Sequence, residues 1–229
     1  MGFEGFSEGT LVFLGDLAEH NDREWFSANK ARYEAEVLER EKAFVAAMAG
    51  GLAALEGASG GPIHAEPRVG GSIFRINRDI RFSRDKSPFK THADMWFWVG
   101  DDRKTAAGYF VRIVAHGVWI GGGVHMLTPE QLTRMRRAIA DEPSGSEIGE
   151  IVAGLRDAGY YVGDEAYKRV PRGFPADHPR AELLRFGYLH AMKQDLPVPP
   201  EFYSSEFLGW CATGFADFAL LVRWLVDVL

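Results

Sequence analysis

Six cations, Arg75, Arg78, Arg81, Arg84, Lys86 and Lys90, fall inside the nineteen residues FRINRDIRFSRDKSPFKTH, positions 74–92. Arginine offers a rigid fork of N–H donors that matches carboxylate or phosphate oxygens in pairs, and lysine adds a mobile point charge. Arg75, Arg78, Arg81, Lys86 and Lys90 are therefore the candidate anion-binding residues. Asp79 and His92 are the candidate acid–base residues, His92 because an imidazole exchanges its proton near neutral pH. His92 also forms an H-x-D pair with Asp94, which a strand would place on one face. Two other readings stand beside the anion site. The stretch could be the basic face of a non-catalytic module that meets an acidic protein or a nucleic acid. It could equally be an ion-pair network that ties helices to a sheet, because charge runs are commonly paired or solvated. Arg78 interrupts an apolar alternation, so its guanidinium needs a partner or a ligand.

Charge distribution narrows the partner. The chain of 229 residues carries a formal net charge of −6, yet residues 68–92 hold seven Lys or Arg against two Asp. That segment is +5 and the remainder −11, a basic island on an acidic body. The acidic body would repel a long polyanion, which argues against extended nucleic acid and for a small phosphate- or carboxylate-bearing ligand.

Other chemistry finds little support. No G-x-S-x-G elbow is present, and no HExxH or HxH pair. The single cysteine, Cys211, sits in an apolar C-terminal run and reads as a core thiol. No metal site is expected, and no cofactor is implied. GGG at 121–123 lies in a strand pattern and predicts a bulge or a close approach by another chain segment more readily than a phosphate loop. His116 and His125 are expected to face each other across this region. His178, just ahead of Pro179, reads as a helix entry.

These residues need positioning elements. Apolar residues make up 46% of the chain, enough for a packed core. Ser7 predicts an N-cap for a first helix and Asn21 for a second, and the helical pattern runs on to the glycine-rich GGLAALEGASGGP. Period-two alternation over SIFRINRDIRF predicts a strand, with Phe74, Ile76, Arg78, Ile80 and Phe82 inward and Arg75, Asn77, Asp79 and Arg81 outward. MWFWVG, GYFVRIVAHG and VWIGGGVHM predict further strands, with HG as a hairpin turn, and no long helix intervenes, so the sheet should be antiparallel. Trp96, Phe97, Trp98 and Trp119 read as core aromatics. Thr128, Pro129 and Gln131 make a strong helix start. Helices are further predicted over GSEIGEIVAGLRDAG, from Pro179, and over 204–228. DLPVPPEF is a stiff joint, too short to link domains. The expectation is an α+β protein, a mainly antiparallel sheet covered by helices, with a helical N-terminal third and a helical C-terminus, in one domain spanning 1–229. The N-terminus predicts no secretory leader and no stretch is long enough to span a membrane, so a cytoplasmic location is expected.

The run R-x-x-R-D-x-R-F-S-x-D-K-S-P-F-K-T-H resembles a motif of a widespread family of conserved hypothetical proteins, domain of unknown function 2461. FLGDLAEHNDREWFSANKARYE, GVWIGGGVHMLTPEQL and KRVPRGFPADHPRAELLR resemble other parts of that family in the same order. The resemblance runs from about Phe6 into the C-terminal helix and implies a single domain. Asn77 departs from the family, where an aromatic is common. The resemblance implies no activity, substrate or oligomeric state.

Overall fold

The computed structural model describes residues 2–229, the side chains of Asp164 and Glu165 excepted. Helix α1 (Glu8–Glu19) opens on a reciprocal capping box between Ser7 and Thr10. Helix α2 (Arg23–Ala28) is capped by Asp22 rather than by Asn21. Asn21 does a different job, giving Nδ2 to the Phe89 carbonyl and accepting the Phe89 N–H, both at 3.0 Å. After α3 (Lys30–Tyr33) the helix widens into a π-turn over Glu34–Leu38. The Thr10 hydroxyl donates to the Glu36 carbonyl at 2.6 Å and the Ser7 hydroxyl to the Glu36 carboxylate at 2.6 Å, so α1 grips the widened turn. Helix α4 (Glu39–Ser59) then continues to Gly60, whose φ of +92° suits glycine as a helix stop.

Six antiparallel strands follow in the order β1-β2-β3-β4-β6-β5. They are β1 (Ile63–His64), β2 (His92–Val99), β3 (Gly108–Val114), β4 (Gly117–Gly123), β5 (Tyr161–Glu165) and β6 (Phe186–Leu196). Helices α5 (Pro129–Ala140) and α6 (Ser144–Asp157) lie between β4 and β5, α7 (Ala181–Leu184) precedes β6, and α8 (Phe207–Ala216) and α9 (Ala219–Val228) end the chain. Met95, Phe97, Tyr109, Val111, Ile113, Val118 and Ile120 are buried, and α4, α8 and α9 pack on this side of the sheet. Phe97 meets Phe44 and Phe215, and the Tyr109 hydroxyl bonds Ser59 at 2.5 Å. Each such buried aromatic is worth about 2–3 kcal/mol in apolar area alone. A Cβ on Gly122 would strike Phe218 at 2.5 Å, so this glycine lets the helical layer sit flush on β4. The architecture is α+β with helices at both ends of the chain, as the sequence predicts.

Four elements differ from the sequence reading. Residues 73–82 form no strand. Ile73 bridges Met95 and Phe74 donates to Asp94, after which the chain leaves the sheet and folds back on itself through an Asn77–Phe89 bridge. The alternation survives as far as buried Ile76 and exposed Arg75, Asn77, Asp79 and Arg81. It fails at Phe82, which is 96% exposed because no layer lies over the tip of the excursion. From Pro179 only the short α7 is helical. β6 follows, and its pairing with both β4 and β5 overrides the helix-favouring Leu, Ala, Met and Lys it contains. The C-terminal segment is two helices, broken around Phe218 as that ring turns onto β4. Finally, His116 and His125 lie beyond opposite ends of β4, about 20 Å of strand apart, and do not face each other.

Candidate ligand pocket on the open face of the sheet

Opposite the helical layer, the register stacks side chains in rows. Asp94 pairs with Arg112 and Arg112 with Trp119; Trp96 pairs with Phe110, Phe110 with Gly121, and Gly121 with Met192. A Cβ on Gly121 would meet the Phe110 ring at 2.3 Å, so the ring lies across bare backbone and leaves a depression beside it. Gly123 sits at φ +133°, and a Cβ there would meet the His190 backbone at 2.5 Å. The glycine run thus serves close approach, and the register shift lies just upstream, between Val118 and Ile120.

The result is a cavity of about 320 Å³ with walls of Phe74, Trp96, Phe110, Tyr188 and Met192, and with His125 and His190 among its lining residues. Its polar end is Lys90, Asp94 and Arg112. Arg112 clasps Asp94 with Nε at 2.6 Å from Oδ1 and Nη2 at 3.2 Å from Oδ2, while its guanidinium carbon lies 4.9 Å from the centre of the Trp119 ring. His92 Nε2 stands 3.2 Å from Asp94 Oδ2, and Lys90 Nζ 3.5 Å from the same oxygen. Burial pushes the Asp94 carboxyl up, but hydrogen bonds from His92 and Arg112 and their charges outweigh it and hold the group well below the usual carboxylate range. Burial lowers the Lys90 ammonium, and the charge of Asp94 opposes that. Lys90 also lies 4.9 Å from the Phe74 ring centre, with Arg103 at 4.7 Å. Burial and the nearby Arg103 push His125 below its ordinary value, so it is neutral at pH 7.

Behind this cluster lies Glu41 of α4, 2% exposed, with its Oε1 buried and unpaired. Burial, then the charge of Asp94, push its carboxyl well above the ordinary 4.5, and Lys90 acts against them.

The residues singled out in the sequence divide between two places. Lys90 and His92 join the Asp94 cluster. Arg75, Arg78, Asp79 and Arg81, with Ile80, line a separate shallow cleft on the excursion. There Arg78 pairs with Asp85 and donates to the Ser87 carbonyl at 3.2 Å. Arg81 chelates Asp79 through Nε at 3.0 Å and Nη2 at 2.7 Å. That pairing lowers Asp79 to about 2, and hydrogen bonds from Ser87 and Arg78 lower Asp85 to about 2. Lys86 Nζ donates to the Ile80 carbonyl at 3.0 Å. Arg75 and Arg84 make no ion pair or hydrogen bond among the described residues. Arg75 acts electrostatically on both Asp79 and Lys90, which joins the two places. Sequence reasoning missed Arg112 and Glu41. Arg112 was visible as the lone charge in the apolar run GYFVRIV. Glu41 was legible as well, because it falls on the apolar helical face four residues after Val37 and three before Phe44, and all three are buried. Cys211 is a fully buried core thiol, and no cluster of metal ligands occurs among the described residues.

An antiparallel sheet backed by helices on one face, with an aromatic, cation-ended cavity on the other, defines an α+β protein with a candidate small-ligand pocket. The conserved hypothetical protein family DUF2461 matches residues 9–224, nearly the whole chain, and the protein belongs to that family. No curated protein matches it. No helix among the described residues is long and apolar enough to cross a membrane.

Proposed function

We propose that the chain binds a small ligand that joins a flat, apolar body to a carboxylate or phosphate. One observation carries this reading: Lys90 and Arg112 share a single ionised carboxylate, Asp94, at the end of an otherwise aromatic cavity. Two cations on one anion leave positive charge facing the cavity, where the surrounding low dielectric strengthens it. The aromatic walls supply the apolar contact that small-molecule sites use. Of the cations named from sequence, Lys90 is the one that touches the cavity. Arg75 adds positive potential beside it, while Arg78, Arg81 and Lys86 are engaged within the excursion, which favours a structural role for those three. If chemistry takes place, His92 is better placed than Asp79, which is engaged by Arg81. The core that runs beneath the sheet between both helical ends supports a single domain, and the composition supports a cytoplasmic setting.

The test is a thermal-shift panel of phosphate, sulfate, benzoate, aromatic amino acids, nucleotides and sugar phosphates against the parent, Lys90→Met and Arg81→Ala. A ligand at a hundred times its Kd stabilises by about 2.7 kcal/mol, a shift of roughly 5–10 °C for a chain of this size. The shift is expected from an anion with an aromatic body, is lost in Lys90→Met and is kept in Arg81→Ala. A shift lost in Arg81→Ala and kept in Lys90→Met would move the site to the excursion. No shift from any compound would overturn the pocket reading.

A further inference from the structure

The tip of the basic excursion and a groove beside α6 are complementary in charge, and each carries an exposed apolar side chain. Phe82 projects from the tip, 96% exposed. Around it stand Arg75, Arg78, Arg81, Arg84 and Lys86 against Asp79 and Asp85, a net charge of +3. Its base is braced. Arg78 pairs with Asp85, Asp85 accepts from the Ser87 N–H at 2.9 Å and hydroxyl at 2.7 Å, and Asn21 anchors Phe89 from outside. A large apolar ring held in water on a cationic loop with a braced base is poor design for a solitary surface and good design for a plug.

The groove lies between α6 and the α8–α9 junction and encloses about 510 Å³. Its apolar floor is Ile151, Leu155, Tyr160 and Leu220, the last 68% exposed. Its rim is Glu147, Glu150 and Asp217, and no Lys or Arg lines it among the described residues. Asp217 accepts from the Tyr160 hydroxyl, while Glu147 and Glu150 make no ion pair among the described residues. Lys193, over the Tyr160 ring at 5.6 Å, is the cation that comes near. An apolar floor inside an acidic rim is a socket for an apolar group inside a basic ring.

We infer that the chain self-associates, with the Phe82 tip of one copy seated in the Glu147–Glu150–Leu220 groove of a second copy. The occupant is assigned from the charge match: the same chain carries a +3 plug and a −3 socket, each with one large exposed apolar residue at its centre. Because every copy has one of each, two copies related by a two-fold axis can close both contacts. One phenyl ring with its neighbours buries little compared with the roughly 1,200 Å² of a stable interface, so the association is weak and concentration-dependent. Opposite charges facing across the contact also make it sensitive to salt.

Sedimentation velocity of the full chain from roughly 10 to 500 μM at low salt tests this. The parent should show a weight-average sedimentation coefficient that rises with concentration and falls back on adding salt. Phe82→Ser, Arg84→Glu and Glu150→Lys should each lower the association constant at least tenfold. All three are exposed, so their melting temperatures should match the parent. The decisive arm mixes the two charge reversals in equal amounts. Arg84→Glu copies carry a plug cut from +3 to +1 with the native −3 socket, and Glu150→Lys copies the native +3 plug with a socket cut from −3 to −1. Each alone weakens both contacts of a pair, whereas a mixed pair regains one native contact of +3 on −3 and should associate more strongly than either variant by itself. Lys90→Met should associate like the parent, so this result stands apart from ligand binding. A parent that stays monomeric throughout, single variants that associate unchanged, or a mixture that fails to recover would each overturn the proposal.

Discussion

Replacing Glu41 by Gln should stabilise the protein at neutral pH and not at acidic pH. Glu41 is 2% exposed, has one oxygen without a partner, and is held protonated first by burial and then by the charge of Asp94. The folded state therefore binds a proton that the unfolded chain releases above its ordinary pKa of 4.5. Stability from this group is complete below that value and declines as pH rises towards the folded pKa. The decline is about 1.36 kcal/mol for each pH unit in which only the folded state keeps the proton, and it ends once pH passes the folded pKa. Gln keeps the shape and the neutrality but has no proton to lose. Asp94, Lys90 and Tyr33, the titratable groups that act on or respond to Glu41, are present in both proteins and largely cancel in the difference. Urea unfolding followed by tryptophan fluorescence between pH 4.5 and 8 gives that difference directly. It should be near zero at pH 4.5 and grow in favour of Glu41→Gln as pH rises, by up to about 1.4 kcal/mol per pH unit, roughly 3–5 °C in Tm per unit. A difference independent of pH, or a variant less stable at pH 7, would show that Glu41 is ionised and paired with Lys90, and would refute the reasoning.

Two further outcomes follow from the same core. Asp94→Asn strands Arg112 and Lys90 beside a neutral group and should cost about 3 kcal/mol at pH 7, measured by the same urea titration. Because the Asp94 carboxyl is held below its ordinary 3.8, its contribution is present above that pH and lost as pH falls further, so the variant's deficit should shrink below pH 3.8. Cys211 is fully buried with its thiol pushed well up, so a thiol-specific chromogenic reagent should react orders of magnitude more slowly with the native protein than in denaturing urea; prompt native labelling would contradict a core thiol.

The parts of the fold legible in the sequence are those fixed by local chemistry. Ser7, Thr128, Pro129 and Gln131 announce the starts of α1 and α5 because a cap is a contact within four residues. The strands β2, β3 and β4 announce themselves through β-branched and aromatic residues, and the H-x-D spacing does put His92 beside Asp94. What stayed hidden depends on partners distant in sequence. β6 reads as a helix until β4 and β5 claim its backbone groups. Phe82 reads as inward because a pattern cannot say where the layer above it ends. Arg112 meets Asp94 only through the register of β3 on β2, and although helical spacing puts Glu41 on the buried face, only the packed fold brings it to Asp94 and Lys90. The cation-rich segment was visible as charge, but which of its members turn towards a cavity and which towards each other was not.

The order of the strands has a kinetic consequence. β2, β3 and β4 form a meander of near neighbours in sequence, whereas α5, α6, β5 and α7 separate β4 from β6 along the chain. Contacts between near neighbours close quickly and distant ones slowly. The cavity straddles that seam: Asp94, Trp96, Phe110 and Arg112 belong to the early side, Tyr188, His190 and Met192 to the late one. A half-zipped sheet therefore owns the charged end of the cavity but not its far wall. The ligand proposed for this cavity would span both sides and so act as a latch on the final zippering step, slowing departure of β6 more than it hastens arrival.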